Sequence, residues 1–130
     1  MTIALATTLH TDFADAVERT RKALSEQGFG VLTEIDVTAT LRQKLGAEME
    51  QYLILGACNP PLAHAALEVD RQIGLLLPCN VVVREDRSSA DVIVEAMNPE
   101  LMVQVAGEPA LRAVADQATA KLRAAIESLG

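Results

Sequence analysis

The chain has 130 residues, half of them hydrophobic, and carries 18 acidic against 11 basic side chains for a formal net charge of −7. That length suits one domain, residues 1–130, with a real core, while the acidic balance argues against nucleic acid or an anionic membrane as partner, since both need clustered Lys and Arg. One Tyr, two Phe and no Trp leave no aromatic platform for stacking bases or sugars, so the core must be aliphatic.

The stretch Met1-Thr2-Ile3-Ala4-Leu5-Ala6-Thr7-Thr8 lacks basic residues, and its apolar part is too short for a signal peptide. No segment approaches the roughly 20 apolar residues of a membrane-spanning helix. A cytoplasmic protein with two reduced thiols is the expectation. Thr2 to Leu9 reads as a first strand, ended by His10-Thr11-Asp12. Asp12 is placed to cap a helix whose stripe, Phe13, Ala16, Val17, Thr20 and Leu24, recurs at helical spacing, with Gly28 as its stop. Phe29 to Val37 alternates Val31, Thr33, Ile35 and Val37 against Leu32, Glu34 and Asp36, the period of a half-solvated strand. Thr38 to Glu50 puts Leu41, Leu45 and Met49 at four-residue steps around Gly46, which predicts a short helix or turn.

Tyr52-Leu53-Ile54-Leu55 favours a buried strand ending near Cys58, and Gly56 within it marks a turn or a close approach of backbones. Asn59 can cap a helix starting near Pro61, because a proline in the first turn lacks only an N–H that has no intrahelical partner. Leu62, Ala66, Val69 and Ile73 then share one face and His64, Glu68, Arg71 and Gln72 the other, which predicts a helix running to Gly74. Leu75-Leu76-Leu77-Pro78 returns the chain to Cys79-Asn80, and Val81-Val82-Val83 is a second buried strand. The charged Arg84 to Arg87 with Ser88-Ser89 makes a hairpin turn into a strand over Asp91 to Met97, so these two strands should be antiparallel neighbours. Asn98-Pro99 opens a short helix broken by Gly107. Pro109 starts a last helix whose stripe from Leu111 to Leu129 should close over the sheet.

The segments Ala57-Cys58-Asn59-Pro60 and Leu77-Pro78-Cys79-Asn80-Val81, with Gly28-Phe29-Gly30-Val31 and Asn98-Pro99, closely resemble the pattern of a bacterial and archaeal family, domain of unknown function 302. The resemblance spans nearly the whole chain. It implies a compact α+β domain, dimeric, and it implies no reaction. The elements themselves give β-α-β, a connector, then β-α-β-β and a C-terminal helix, with a weak suggestion of two related halves. Single-faced helices predict a two-layer α+β fold: a mostly antiparallel or mixed sheet of about five strands, its helices largely on one face. The central strands look apolar on both sides, so the other face should be covered by a second copy in a homodimer.

Three kinds of chemistry are open. The first is a binding or sensing module for a small molecule, built on Cys58, Asn59 and Asn80 at the Asn-Pro corner with Glu34, Asp36 and Lys44 as polar lining. The second is a thiol protein, metal-binding or redox, using Cys58 and Cys79 with His64. Against it, the thiols lack a C-x-x-C spacing, and a straight helix of about 14 residues would hold them about 20 Å apart unless it breaks around Val69-Asp70 or the pairing runs across a dimer interface. The third is a small enzyme built on Glu34, Asp36 and Lys44. Each of these residues also has an ordinary role: buried cysteines pack as small hydrophobes, a helical histidine with Glu68 four residues on is usually solvated, and alternate acidic residues mark a wet strand face. No nucleophile elbow, P-loop, dinucleotide fingerprint or zinc spacing is present, and no cofactor is identified by the sequence.

Overall fold

The computed structural model describes residues 2–130, so Met1, the first residue of the expected domain, lies outside it. Five strands, β1 (Ala4–Leu9), β2 (Gly30–Asp36), β3 (Tyr52–Cys58), β4 (Cys79–Glu85) and β5 (Val92–Met97), and five helices, α1 (Phe13–Glu26), α2 (Val37–Leu45), α3 (Pro60–Val69), α4 (Glu100–Ala106) and α5 (Arg112–Leu129), alternate up to β4, which is followed directly by β5 and then by α4 and α5. The sheet order is β1-β5-β4-β3-β2, and every pair is antiparallel. The fold is thus α+β, with a wholly antiparallel sheet. β1 and β2 lie at opposite edges, whereas β3 and β4 are hydrogen-bonded neighbours, so the suggested pair of related halves is not there. The most apolar strands take the middle, and the threonine-rich β1 and half-polar β2 take the edges.

Local signals explain most boundaries. The Asp12 carboxylate accepts from the Asp15 N–H and caps α1. That helix ends where Gly28, at φ 82°, lets its own N–H reach the Ser25 carbonyl and that of Phe29 the Leu24 carbonyl. Asp36 caps α2 in the same way, so Val37 belongs to a helix rather than to the preceding strand. The predicted helix from Pro61 to Gly74 is shorter than expected. α3 ends at Val69, Asp70 is extended, and its carboxylate accepts from the Gln72 N–H to start a separate 3₁₀ segment over Arg71–Leu76. An aspartate side chain competing for backbone N–H groups interrupts a helix whose apolar stripe is continuous.

β2 departs from simple alternation. Its register against β3 shifts between Val31, opposite Ala57, and Thr33, opposite Gly56, leaving Leu32 as an extra residue. Val31, Glu34 and Asp36 therefore lie on the side of Ala57, Leu55 and Leu53, and Thr33 and Ile35 on the other.

On that first side, α1 and α5 cover the sheet: Ala16, Ala23 and Leu24 with Leu122, Ala125, Ile126 and Leu129 form one core with Leu55, Val81, Val83 and Val94. A second core, Leu62, Ala66, Ile73, Met102, Leu111, Val114, Ala115 and Ala118, joins α3, the 3₁₀ segment and α4 to the first half of α5. The opposite sheet face stays partly open. Ile35 is 50% exposed, and Ile54, Val82 and Ile93 are half-buried around an Arg84–Glu95 ion pair of 2.9 Å. No helix among the described residues is long and apolar enough to cross a membrane.

Candidate functional site

The chain's two cores meet at the end of the sheet where β3 stops and β4 begins. Cys58 closes β3, Asn59 caps α3, and Pro78-Cys79 leads into β4, with Ala57 and Cys79 as direct register partners. Between these strand ends and the helices lies a hollow of about 350 Å³, within the size range of small-molecule sites. Ala57, Cys58, Pro78 and Cys79 form its sheet end, Leu62 and Ala66 its α3 wall, and Met102, Val114 and Ala118 its α4 and α5 walls. Phe29 and the bulged Leu32 line the β2 side, and Leu32 is 69% exposed. No charged side chain lines it. Its one amide, Asn59, is committed at both ends: Oδ1 accepts from the Leu62 N–H and Nδ2 donates to the Gln27 carbonyl, each at 3.4 Å.

The two thiols are free. Cys79 is only 7% exposed, and burial, with Cys58 nearby adding a smaller push, raises its thiol to about 11. It stays protonated at neutral pH. The expected separation of about 20 Å along a straight helix does not hold: the break at Asp70 turns the crossover back, and the antiparallel β3–β4 ladder places Cys58 diagonally beside Cys79.

The other sequence candidates are spread out. Glu34 pairs with Arg21, Asp36 caps α2, and Lys44 sits exposed in the last turn of α2. Asp36 borders a second, more polar hollow with Arg42, Gln51 and Tyr52, and neither Glu34 nor Lys44 lines it. Asn80 is exposed and lies opposite Gly56, outside the apolar hollow. His64 is exposed on α3, 3.4 Å from Glu68, so it does not join the thiols. Among the described residues no group of three His, Cys, Asp or Glu side chains stands close enough to hold a metal. Sequence reasoning missed Leu32, Leu62, Met102, Val114 and Ala118 as lining residues because an apolar stripe reads as core. The α5 stripe of Val114, Ala115, Ala118, Leu122, Ala125, Ile126 and Leu129, longer than one sheet contact needs, was the available signal.

The model of the family described as "Domain of unknown function DUF302" matches residues 5–129. The crystal structure of an uncharacterized conserved protein DUF302 from Bacillus stearothermophilus is similar over 100% of both chains, at 27% sequence identity and a TM-score of 0.91. No curated protein matches the chain.

Proposed function

The chain belongs to the domain of unknown function 302 family, and from the geometry of its hollow we propose that it is a binding or sensing module for a small, neutral, largely apolar molecule. The observation that carries this reading is the lining itself: a space of about 350 Å³ without a charged side chain, whose one side-chain amide makes a protein hydrogen bond through its oxygen and another through its nitrogen. A charged ligand would lose its hydration there without compensation, whereas an apolar one gains by leaving water. Cys58 and Asn59 belong to this site, and Asn80, Glu34, Asp36 and Lys44 lie outside it. The enzyme reading loses its footing because Glu34 and Asp36 are engaged separately. A cytoplasmic setting suits the module, since both thiols are free.

The test is thermal shift of the native protein against neutral alkyl and aryl compounds and their carboxylated analogues. Stabilisation by neutral compounds, lost when Ala66→Trp fills the hollow, supports the reading. Stabilisation by the anionic series alone overturns it.

A homodimer through the open sheet face is a second reading, favoured by one arrangement. The half-buried Arg84–Glu95 pair sits among Ile54, Val82 and Ile93, so a second copy related by a two-fold axis would meet opposite charges within an apolar surround.

A further inference from the structure

We propose that the hollow selects aryl ligands, one or two rings in size, over alkyl ligands of the same carbon skeleton. This rests on the binding reading above and adds the class of molecule. Three polarisable side chains line the hollow from three separate parts of the chain: Phe29 on the β2 side, Cys79 at the sheet end and Met102 on the α4 wall. They are 3%, 7% and 2% exposed, so packing against both cores fixes where they stand. The whole sequence holds only two Phe, one Tyr and no Trp, and one of those few rings borders this space. The room itself comes from small residues, Ala57, Ala63, Ala66, Ala118 and Gly74, between the larger ones. At about 350 Å³ it is over twice the ~150 Å³ in which an apolar cavity holds one benzene ring.

Burial alone does not choose an aryl ligand. A cyclohexyl group carries more apolar surface than a phenyl group, so a hollow that acted only by excluding water would bind the alicyclic compound more tightly. An aromatic ring differs in its charge distribution, negative over the faces and positive at the edge. Phe29 offers such a ligand an edge-to-face partner, and the Met102 sulfur suits the edge of its ring. Cys79 keeps its proton at neutral pH because burial raises its thiol, and its S–H is a weak donor to which a ring face is an acceptor. A saturated ring meets none of these groups except by contact. Each aromatic or sulfur–aromatic contact is worth about twofold to tenfold in affinity, enough for two of them to reverse the order that burial sets.

The experiment titrates the native protein with 2-phenylethanol and with 2-cyclohexylethanol, which share a skeleton and are both neutral and water-soluble, and follows calorimetry and the methyl resonances of labelled methionine. The expected result is that the phenyl compound binds about fivefold or more tightly and moves the Met102 methyl upfield through its ring current. In Met102→Leu, a change that nearly conserves volume, the affinity ratio should narrow while the cyclohexyl affinity stays within about twofold. Equal binding of the two compounds, or tighter binding of the cyclohexyl one, overturns the aryl preference and leaves the apolar binding reading standing. A phenyl preference that leaves the Met102 methyl unmoved and is unchanged in Met102→Leu also overturns it, because the selectivity then lies elsewhere. Binding of neither compound overturns both readings.

Discussion

A Cβ added to Gly56 would overlap the hydroxyl of Thr33, its register partner across the β2–β3 ladder, and would stand 2.9 Å from Cγ of Pro78. The absence of a side chain at position 56 is what lets Thr33 and Pro78 close over the strand just before the hollow. Gly56→Val should therefore cost about 1–3 kcal/mol through overpacking. Pro60→Ala should cost less, because Pro61 still sits in the first turn of α3. Urea unfolding of both variants checks the order. Thr33→Ala should recover part of the loss in a Gly56→Ala background, and additive effects would show that this contact carries none of it.

Asn59 joins two elements through one amide, capping α3 and holding the Gln27 carbonyl at the end of α1. Asn59→Ala removes both bonds and should destabilise the protein by about 1–2 kcal/mol. Asn59→Asp keeps the cap but turns a donor into an acceptor facing the Gln27 carbonyl, so it should also be less stable than wild type. A denaturation midpoint unchanged in both variants would remove Asn59 from the structural account.

Cys79 gives the fold a pH dependence of known sign. Its thiol is raised from 9.0 to about 11 in the folded protein, chiefly by burial. The contribution is therefore fully present below pH 9, where folded and unfolded chains both hold the proton. It is lost as pH rises from about 9 to about 11, where only the folded chain still holds it, at about 1.4 kcal/mol per pH unit. Comparing unfolding free energies of wild type and Cys79→Ala across that window isolates the effect from other alkaline titrations. A gap between them that stays constant with pH would contradict the burial of this thiol.

Self-association through the open sheet face predicts a solution mass of twice 13.9 kDa. Val82→Lys, placed in the middle of that face, should return the protein to the monomer mass with its circular dichroism unchanged, since Val82 is not in the helix-covered core. Light scattering of the wild type at micromolar concentration decides the matter, and the monomer mass there would sink the reading.

Much of this architecture is written in local chemistry. Asp12 and Asn59 each offer a side-chain oxygen ahead of an apolar periodic run, and each caps the helix that follows. The hairpin between β4 and β5 is equally legible from its charged turn between β-branched runs, and the family pattern is carried by short segments around the two cysteines and prolines. What the sequence could not determine is what lies beside what. The bulge at Leu32 depends on how β2 meets β3, and a one-residue shift reverses which side chains face the core. The break at Asp70 interrupts an apolar stripe that continues through it, because a carboxylate finding a backbone N–H leaves hydrophobic spacing untouched. Glu34 and Asp36 looked like one polar floor, yet an arginine from α1 takes one and a helix start takes the other. The apolar hollow and the neighbouring thiols exist only because the antiparallel ladder returns Cys79 to the end of β3. Proximity across 20 intervening residues is a property of strand pairing and packing, which no local spacing encodes.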